Sequence, residues 1–237
     1  MSDILTMVWK EAKDSVFTGG RGEIIRPLLI VFILGILMPW QLGERWLSVN
    51  AIVIFVASYI PFFFTISYIG DAIAGERERH TLETLLASRI SDRAILWGKM
   101  IVVVAYAFIM ALIGLLLGLV VANLLSGSGQ WRFYSPINIF LEMLLFIVVI
   151  SLLSASGGVL VSLKAATVRQ AQQTMTVGTL ILFIGGFFAL RAVPESALVS
   201  LNSSQLLLIL MGIFFLLDLI LLGVLFASFR RSRLILS

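Results

Sequence analysis

The sequence predicts an all-α membrane protein with six transmembrane helices and both termini on the cytoplasmic side. Three observations lead there. First, 60% of the 237 residues are hydrophobic and 13% are charged, and the mean hydropathy is +1.08. A soluble domain is nearer half apolar and a quarter charged, and a chain of this length cannot hide the excess in a core, so a bilayer must solvate it. Second, six apolar runs approach or exceed the roughly 20 residues that carry a helix across about 30 Å of hydrocarbon. Third, the basic residues gather on one side once those runs alternate across the membrane.

The chain opens with Ser2–Phe17, where Ile4, Leu5, Val8, Trp9, Ala12 and Val16 share one helical face. Asp3, Lys10, Glu11, Lys13 and Asp14 lie off that face or at its margin, the pattern of a helix lying in the membrane interface. Gly19, Gly20 and Gly22 end it, so residues 1–22 form an interfacial helix and turn. No small-residue cleavage site follows the first apolar run, which is therefore expected to stay as a transmembrane helix.

Residues 27–229 hold the six spans, at Pro27–Gly43, Asn50–Gly70, Ala94–Leu125, Ile137–Leu163, Thr174–Val193 and Gln205–Phe229. The first is short, with Trp40 and Trp46 expected at the outer interface. The third is long enough to begin as a stem outside the hydrocarbon, and Ser91 is placed to cap it. Pro61 in the second predicts a kink. Gly114-x-x-x-Gly118 and the cluster Ser151, Ser154, Ser156, Gly157 and Gly158 predict close helix packing. The short loops Ser126–Pro136 and Pro194–Ser204 fall outside, the second being a candidate for a partly inserted helix, and the basic tail 230–237 falls inside.

This register puts Lys10, Lys13, Arg21, Arg26, Arg77, Arg79, Arg89, Arg93, Lys99, Lys164, Arg169, Arg230, Arg231 and Arg233 on one side, against Arg45, Arg132 and Arg191 on the other. Five or seven crossings destroy the asymmetry, so six with both ends inside is the reading. The net charge of +4 then belongs to cytoplasmic loops and not to nucleic-acid binding.

The longest cytoplasmic loop, 71–93, is also the most charged stretch. Leu82, Leu85 and Leu86 recur at helical spacing beside Glu76, Arg77, Glu78, Arg79 and Glu83, which predicts a short amphipathic helix over 76–90. A charged helix held on the cytoplasmic face suits docking to a soluble partner. The run Gly75-Glu76-Arg77-Glu78-Arg79-His80-Thr81-Leu82-Glu83-Thr84-Leu85-Leu86, continued by Ala87-Ser88-Arg89-Ile90-Ser91-Asp92-Arg93 and then Gly98-Lys99, resembles the signature of type-2 ABC exporter permeases. That signature reads G-E-x-E-x-G-T-L-E-x-L-L, then a Pro-x-Ser/Thr turn, then Gly-Lys at the third helix. Two positions depart from it: His80 stands where Gly is usual, and Arg89 where Pro is usual.

The resemblance implies a transport subunit. Such a permease pairs with a second permease subunit, expected here as a homodimer, and docks two copies of a separate ATPase. The coupling residues it implies are Glu76, Arg77, Glu78, Arg79, Thr81, Leu82, Glu83, Leu85 and Leu86, with the interfacial helix as a second contact. ATP and Mg would bind the partner ATPase and no cofactor would bind this chain directly. The setting implied is the cytoplasmic (inner) membrane, and the direction is export.

Other classes lack their residues. There is no G-x-x-x-x-G-K-[ST] phosphate loop, so ATP hydrolysis needs another subunit and the chain is not read as an enzyme. With no cysteine and His80 as the single histidine, neither a thiolate nor a histidine-rich metal site is expected. An intramembrane serine protease would need a Ser with a basic partner at equal depth. Glu76 and Glu78, alternating with Arg77 and Arg79, read as solvated ion pairs and not as an acid–base couple. Asp218, near the centre of the sixth span, either serves the pathway or gate, or bonds to a neighbouring helix, since no basic residue lies at its depth. Glu142, a turn inside the outer end of the fourth span, is expected to reach the interface. So few intramembrane charges suit a hydrophobic or amphipathic substrate. The competing function is an ATPase-independent channel or a membrane scaffold or assembly factor.

Overall fold

A computed structural model describes residues 2–17, 28–81, 89–126, 130–192 and 202–229. Among them there is no β-strand, and one isolated parallel bridge joins Ser48 to Ser135. The helices are α1 (Ser2–Phe17), α2 (Leu28–Trp46), α3 (Ala51–Ile69), α4 (Asp71–Glu78), α5 (Asp92–Ser126), α6 (Ile137–Lys164), α7 (Val168–Ala192) and α8 (Ser203–Ser228). The described part of every expected span falls on a helix. Among the described residues four helices are long and apolar enough to cross a membrane: α2, α5, α6 and most of α8. A shorter apolar run, Val53–Ile66, lies in α3. The proposed inserted helix at 194–204 lies largely outside the described residues, and the basic tail lies wholly outside them.

Local chemistry explains the helix ends. Ser91 caps α5 as expected, its hydroxyl accepting the Ala94 N–H at 3.3 Å. The 35 residues of α5 make a rod about 52 Å long at 1.5 Å per residue, which exceeds the hydrocarbon thickness and accounts for a stem. Asn202 and Gln205 form a capping box at the start of α8. In α2 the turn Ile33–Leu37 is a π-helix. Pro39 follows it, offers no N–H to the Gly35 carbonyl and crowds that oxygen, so the preceding turn widens. Pro61 sits inside α3 without ending it.

Packing centres on α6, which touches α3, α4, α5, α7 and α8. Two apolar clusters fill the bundle. One holds Trp46, Phe64, Leu115, Met143 and Ile147. The other holds Met7, Ile69, Ile95, Met100, Val159, Leu225 and Phe229, so α1 and the end of α8 share one end of the bundle. The small residues pack inside the chain: a Cβ on Gly35 would lie 3.0 Å from the Gly114 carbonyl oxygen, and one on Gly158 would lie 2.1 Å from Ile69 Cγ2. Much of α8 faces outward with Ile209, Ile213, Leu216, Ile220 and Val224 exposed. Water would not tolerate such a continuous apolar surface, and lipid does.

One expectation changes and two gain detail. Trp40 is exposed but Trp46 is fully buried. Its indole N–H donates to Tyr134 Oη at 2.9 Å, and Tyr134 donates to the Leu115 carbonyl at 2.8 Å. A buried indole is stable once its N–H is satisfied, and Gly118 makes the space, since a Cβ there would lie 2.3 Å from Trp46 Nε1. Glu142, expected to reach the interface, accepts the Ser204 hydroxyl on its carboxylate at 2.7 Å and so ties α6 to the start of α8. The face of α1 that meets the protein is led by Met7, which is fully buried, while Leu5 and Trp9 stay exposed.

Candidate functional site

The charged stretch after α3 does not form one helix over 76–90. Helix α4 ends at Glu78, and His80 has φ +56°, in the left-handed region. The His80 N–H reaches the Arg77 carbonyl at 3.1 Å and the Thr81 N–H reaches the Glu76 carbonyl at 2.9 Å. These two bonds make a Schellman stop, whose left-handed position favours glycine because a Cβ is strained there. The departure at His80 therefore falls where the backbone most wants Gly. Leu82, Glu83, Leu85 and Leu86 lie outside the described residues.

The start of α4 has no side-chain cap of its own. Ser162 of α6 supplies one from across the bundle: its oxygen accepts the N–H groups of Ala74 at 2.9 Å and Ile73 at 3.2 Å, and its hydroxyl donates to the Gly70 carbonyl. The other end of α4 matches charge to two helix dipoles. Arg77 donates to the Ala165 carbonyl at 2.6 Å and the Leu163 carbonyl at 3.1 Å, covering the C-terminus of α6. Glu78 accepts the N–H of Val168 at 3.0 Å, at the N-terminus of α7. A cation at a helix C-terminus and an anion at an N-terminus are each favourable.

Glu76 is not the solvated carboxylate its neighbours suggest, for it is only 8% exposed. Thr81 donates its hydroxyl to one carboxylate oxygen. The other oxygen lies 3.4 Å from Lys10 Nζ and 3.6 Å from Lys99 Nζ. Lys99, 3% exposed, is bound more closely by Glu11, at 2.8 Å. Burial raises the Glu76 pKa, but the Thr81 hydroxyl and the charges of Lys99 and Lys10 together outweigh it and hold the carboxyl below the ordinary glutamate value. The physical reason for the burial is pairing: a carboxylate leaves water when cations and a hydroxyl replace its hydration.

Of the residues expected to couple, Glu76, Arg77, Glu78 and Thr81 thus converge at the end of α4 and bind inward, whereas Arg79 is exposed. Asp218 is elsewhere, buried between α8 and α6, with Oδ1 accepting the Ser156 hydroxyl at 2.9 Å and Oδ2 without a partner among the described residues. Sequence reasoning assigned no partner to Lys10, Glu11 or Lys99 and passed over Met7 and Ser162. The available signal was the Gly98-Lys99 pair. Gly98 admits Met7, since a Cβ there would lie 2.5 Å from Met7 Cγ, and Lys99 receives Glu11 one helical turn further on. What this arrangement can do is mechanical: it holds four helices to one short rod.

Among the described residues, an all-helical bundle with apolar flanks and a charged hub at one end defines a multi-pass membrane protein. The chain belongs to the ABC-2 family: a family model described as ABC-2 family transporter protein matches residues 38–204, from within α2 to the first turn of α8. Members of that family are membrane transport components that are not themselves catalytic and generally work with an ATPase subunit. A search of curated proteins finds no match to this chain.

Proposed function

We propose that this chain is the permease subunit of an ATP-driven exporter of the cytoplasmic membrane, with six spans and both termini inside. It docks two copies of a separate ATPase through the 76–90 segment, with Arg79, Leu82, Glu83, Leu85 and Leu86 as contacts, and pairs with a second copy of itself. ATP and Mg act on the ATPase. The cargo is hydrophobic or amphipathic, consistent with the apolar character of the spans. The observation that carries this reading is the hub at α4. The docking segment leaves directly from a rod fastened to α1, α5, α6 and α7, so a push on that segment reaches four helices at once. Burial of Met7 and Phe229 in one cluster supports an even number of crossings.

Asp218 is assigned to the contact between α6 and α8 in preference to the pathway, because it accepts the Ser156 hydroxyl and is fully buried.

Purification in mild detergent with mass spectrometry of retained partners tests the proposal. A soluble protein bearing a G-x-x-x-x-G-K-[ST] loop, held by the native chain and lost with Glu83→Arg, is expected. A chain that retains no such protein would instead be an ATPase-independent channel or scaffold.

A further inference from the structure

Four charged groups from three elements meet where α1 crosses the stem of α5. Lys10 and Glu11 come from α1, Glu76 from α4 and Lys99 from α5. Signs alternate around the group: Lys99 Nζ is 2.8 Å from Glu11 and 3.6 Å from Glu76, and Lys10 Nζ is 3.4 Å from Glu76 and 3.9 Å from Glu11. As a device for stability this is a poor choice. Apolar side chains of similar volume hold helices together without desolvating two carboxylates and a lysine, and buried ion pairs often lose to such replacements. What paired charges supply is discrimination, because a shifted register leaves a buried ion without its partner.

Shape keys the same contact. Met7 and Glu11 are four residues apart and so lie on one face of α1, and they meet Gly98 and Lys99, which are adjacent on α5. The missing side chain at Gly98 lets Met7 in, and a Cβ there would lie 2.5 Å from Met7 Cγ and 2.7 Å from Met7 Cβ. Apolar insertion thus fixes where α1 sits along α5, and Lys99 fixes its relation to α4. Glu76 closes the circuit at the last turn of α4, immediately before the Schellman stop from which the docking segment departs.

We propose that Glu11, Glu76 and Lys99 are positioning residues that lock α1 and the α5 stem to α4, so that the three move as one body when the docking segment is displaced. The inference rests on the ATP-driven reading for its purpose, and none of the three touches nucleotide or cargo. Without the lock, motion of α4 would reach α6 and α7 through Ser162, Arg77 and Glu78 but would leave α1 and α5 behind.

The chain has no cysteine, so spin labels can be placed at Lys13→Cys on α1 and His80→Cys just beyond α4, both exposed positions and neither among the named docking contacts. Pulsed electron-electron resonance on the purified permease–ATPase complex then reads their separation. The expected result is a single narrow distance that is the same without nucleotide and after trapping with ATP and vanadate. Lys99→Met and, separately, the milder Glu76→Gln are expected to lose that narrow distance, and Lys99→Arg to keep it. A native distribution in both Lys99→Met and Glu76→Gln overturns the lock, as does a shift of the native pair on trapping. A second pair, His80→Cys with Trp131→Cys at the opposite end of the bundle, reports on the transporter reading itself. If that pair ignores ATP the reading fails, while the nucleotide-free distances between positions 13 and 80 still decide the lock.

Discussion

Replacing Gly98 by Ala isolates the contact of α1 with α5. The new Cβ would stand 2.5 Å from Met7 Cγ, 2.7 Å from Met7 Cβ and 3.4 Å from its backbone carbonyl carbon. Rotating the Met7 side chain relieves only the first of these, so α1 must shift or Met7 must leave. Overpacking of this kind costs roughly 1–3 kcal/mol, and expelling a buried Met side chain gives up about 1.5–3 kcal/mol. Ala also favours the helix over Gly by about 1 kcal/mol, a gain confined to α5 that masks the loss in a global melt. The informative assay is therefore local. Trypsin cuts after Lys10 and Lys13 when α1 undocks, and cleavage follows the open population when opening is fast. At 1.4 kcal/mol per tenfold, the expected acceleration is roughly 5- to 150-fold. The double variant Gly98→Ala with Met7→Ala should be cleaved more slowly than the two single effects combined predict, since the clash is gone. Native cleavage rates for Gly98→Ala would refute the reasoning.

His80→Gly should raise the thermal midpoint in detergent: relief of the left-handed strain, about 1–2 kcal/mol, exceeds the added chain entropy, about 0.5–1 kcal/mol. An unchanged or lower midpoint would remove the Schellman stop from the account. Glu76 is held below its ordinary value of 4.5 in the folded chain, so its contribution is complete above that pH and disappears as pH falls through the lower folded value. Melts between pH 7 and 3 should accordingly show an acid-side loss that Glu76→Gln lacks; parallel curves would contradict it. Trp46→Phe removes the donor to Tyr134 and should cost about 1 kcal/mol in the same melt, whereas no loss would mean that the bond is incidental. Asp218→Asn preserves an acceptor for Ser156 and should cost under about 1 kcal/mol, in line with hydrogen bonds between membrane helices. Transport abolished at normal expression would return Asp218 to the pathway.

The apolar helices were legible because hydrocarbon thickness fixes how long an apolar run must be: the described part of every such run falls on a helix, and four of those helices are long and apolar enough to cross. Ser91 was legible as a cap because its partner lies three residues away. Gly114 and Gly118 were legible as packing positions, but what fills their space was not. Trp46 reaches Gly118 through the 3-10 turn Gly43–Trp46, and the hydropathy of Trp does not tell burial from a place at the interface. In α1 amphipathicity was silent on the protein contact for a related reason. Polarity assigns Leu5 and Trp9 to a membrane-interface face and leaves Glu11 off it, and gives no sign that Glu11 turns toward the protein, where Lys99, far along the chain, neutralises it. Glu76 was picked out by pattern but given the wrong surroundings, since alternating charges in sequence look solvated until the fold supplies partners from α1 and α5. The unusual residue at position 80 was visible at once, and its meaning needed the backbone angle.

The most direct test of the account is ATP turnover in liposomes by the ATPase that co-purifies with this chain, measured with and without the chain. The account predicts that binding the native chain changes the rate of hydrolysis and that vanadate traps the complex. It also predicts that Glu83→Arg, which is meant to break docking, returns the rate to that of the ATPase alone. Identical turnover in the presence and absence of the native chain, with the ATPase demonstrably bound, would contradict an ATP-driven permease.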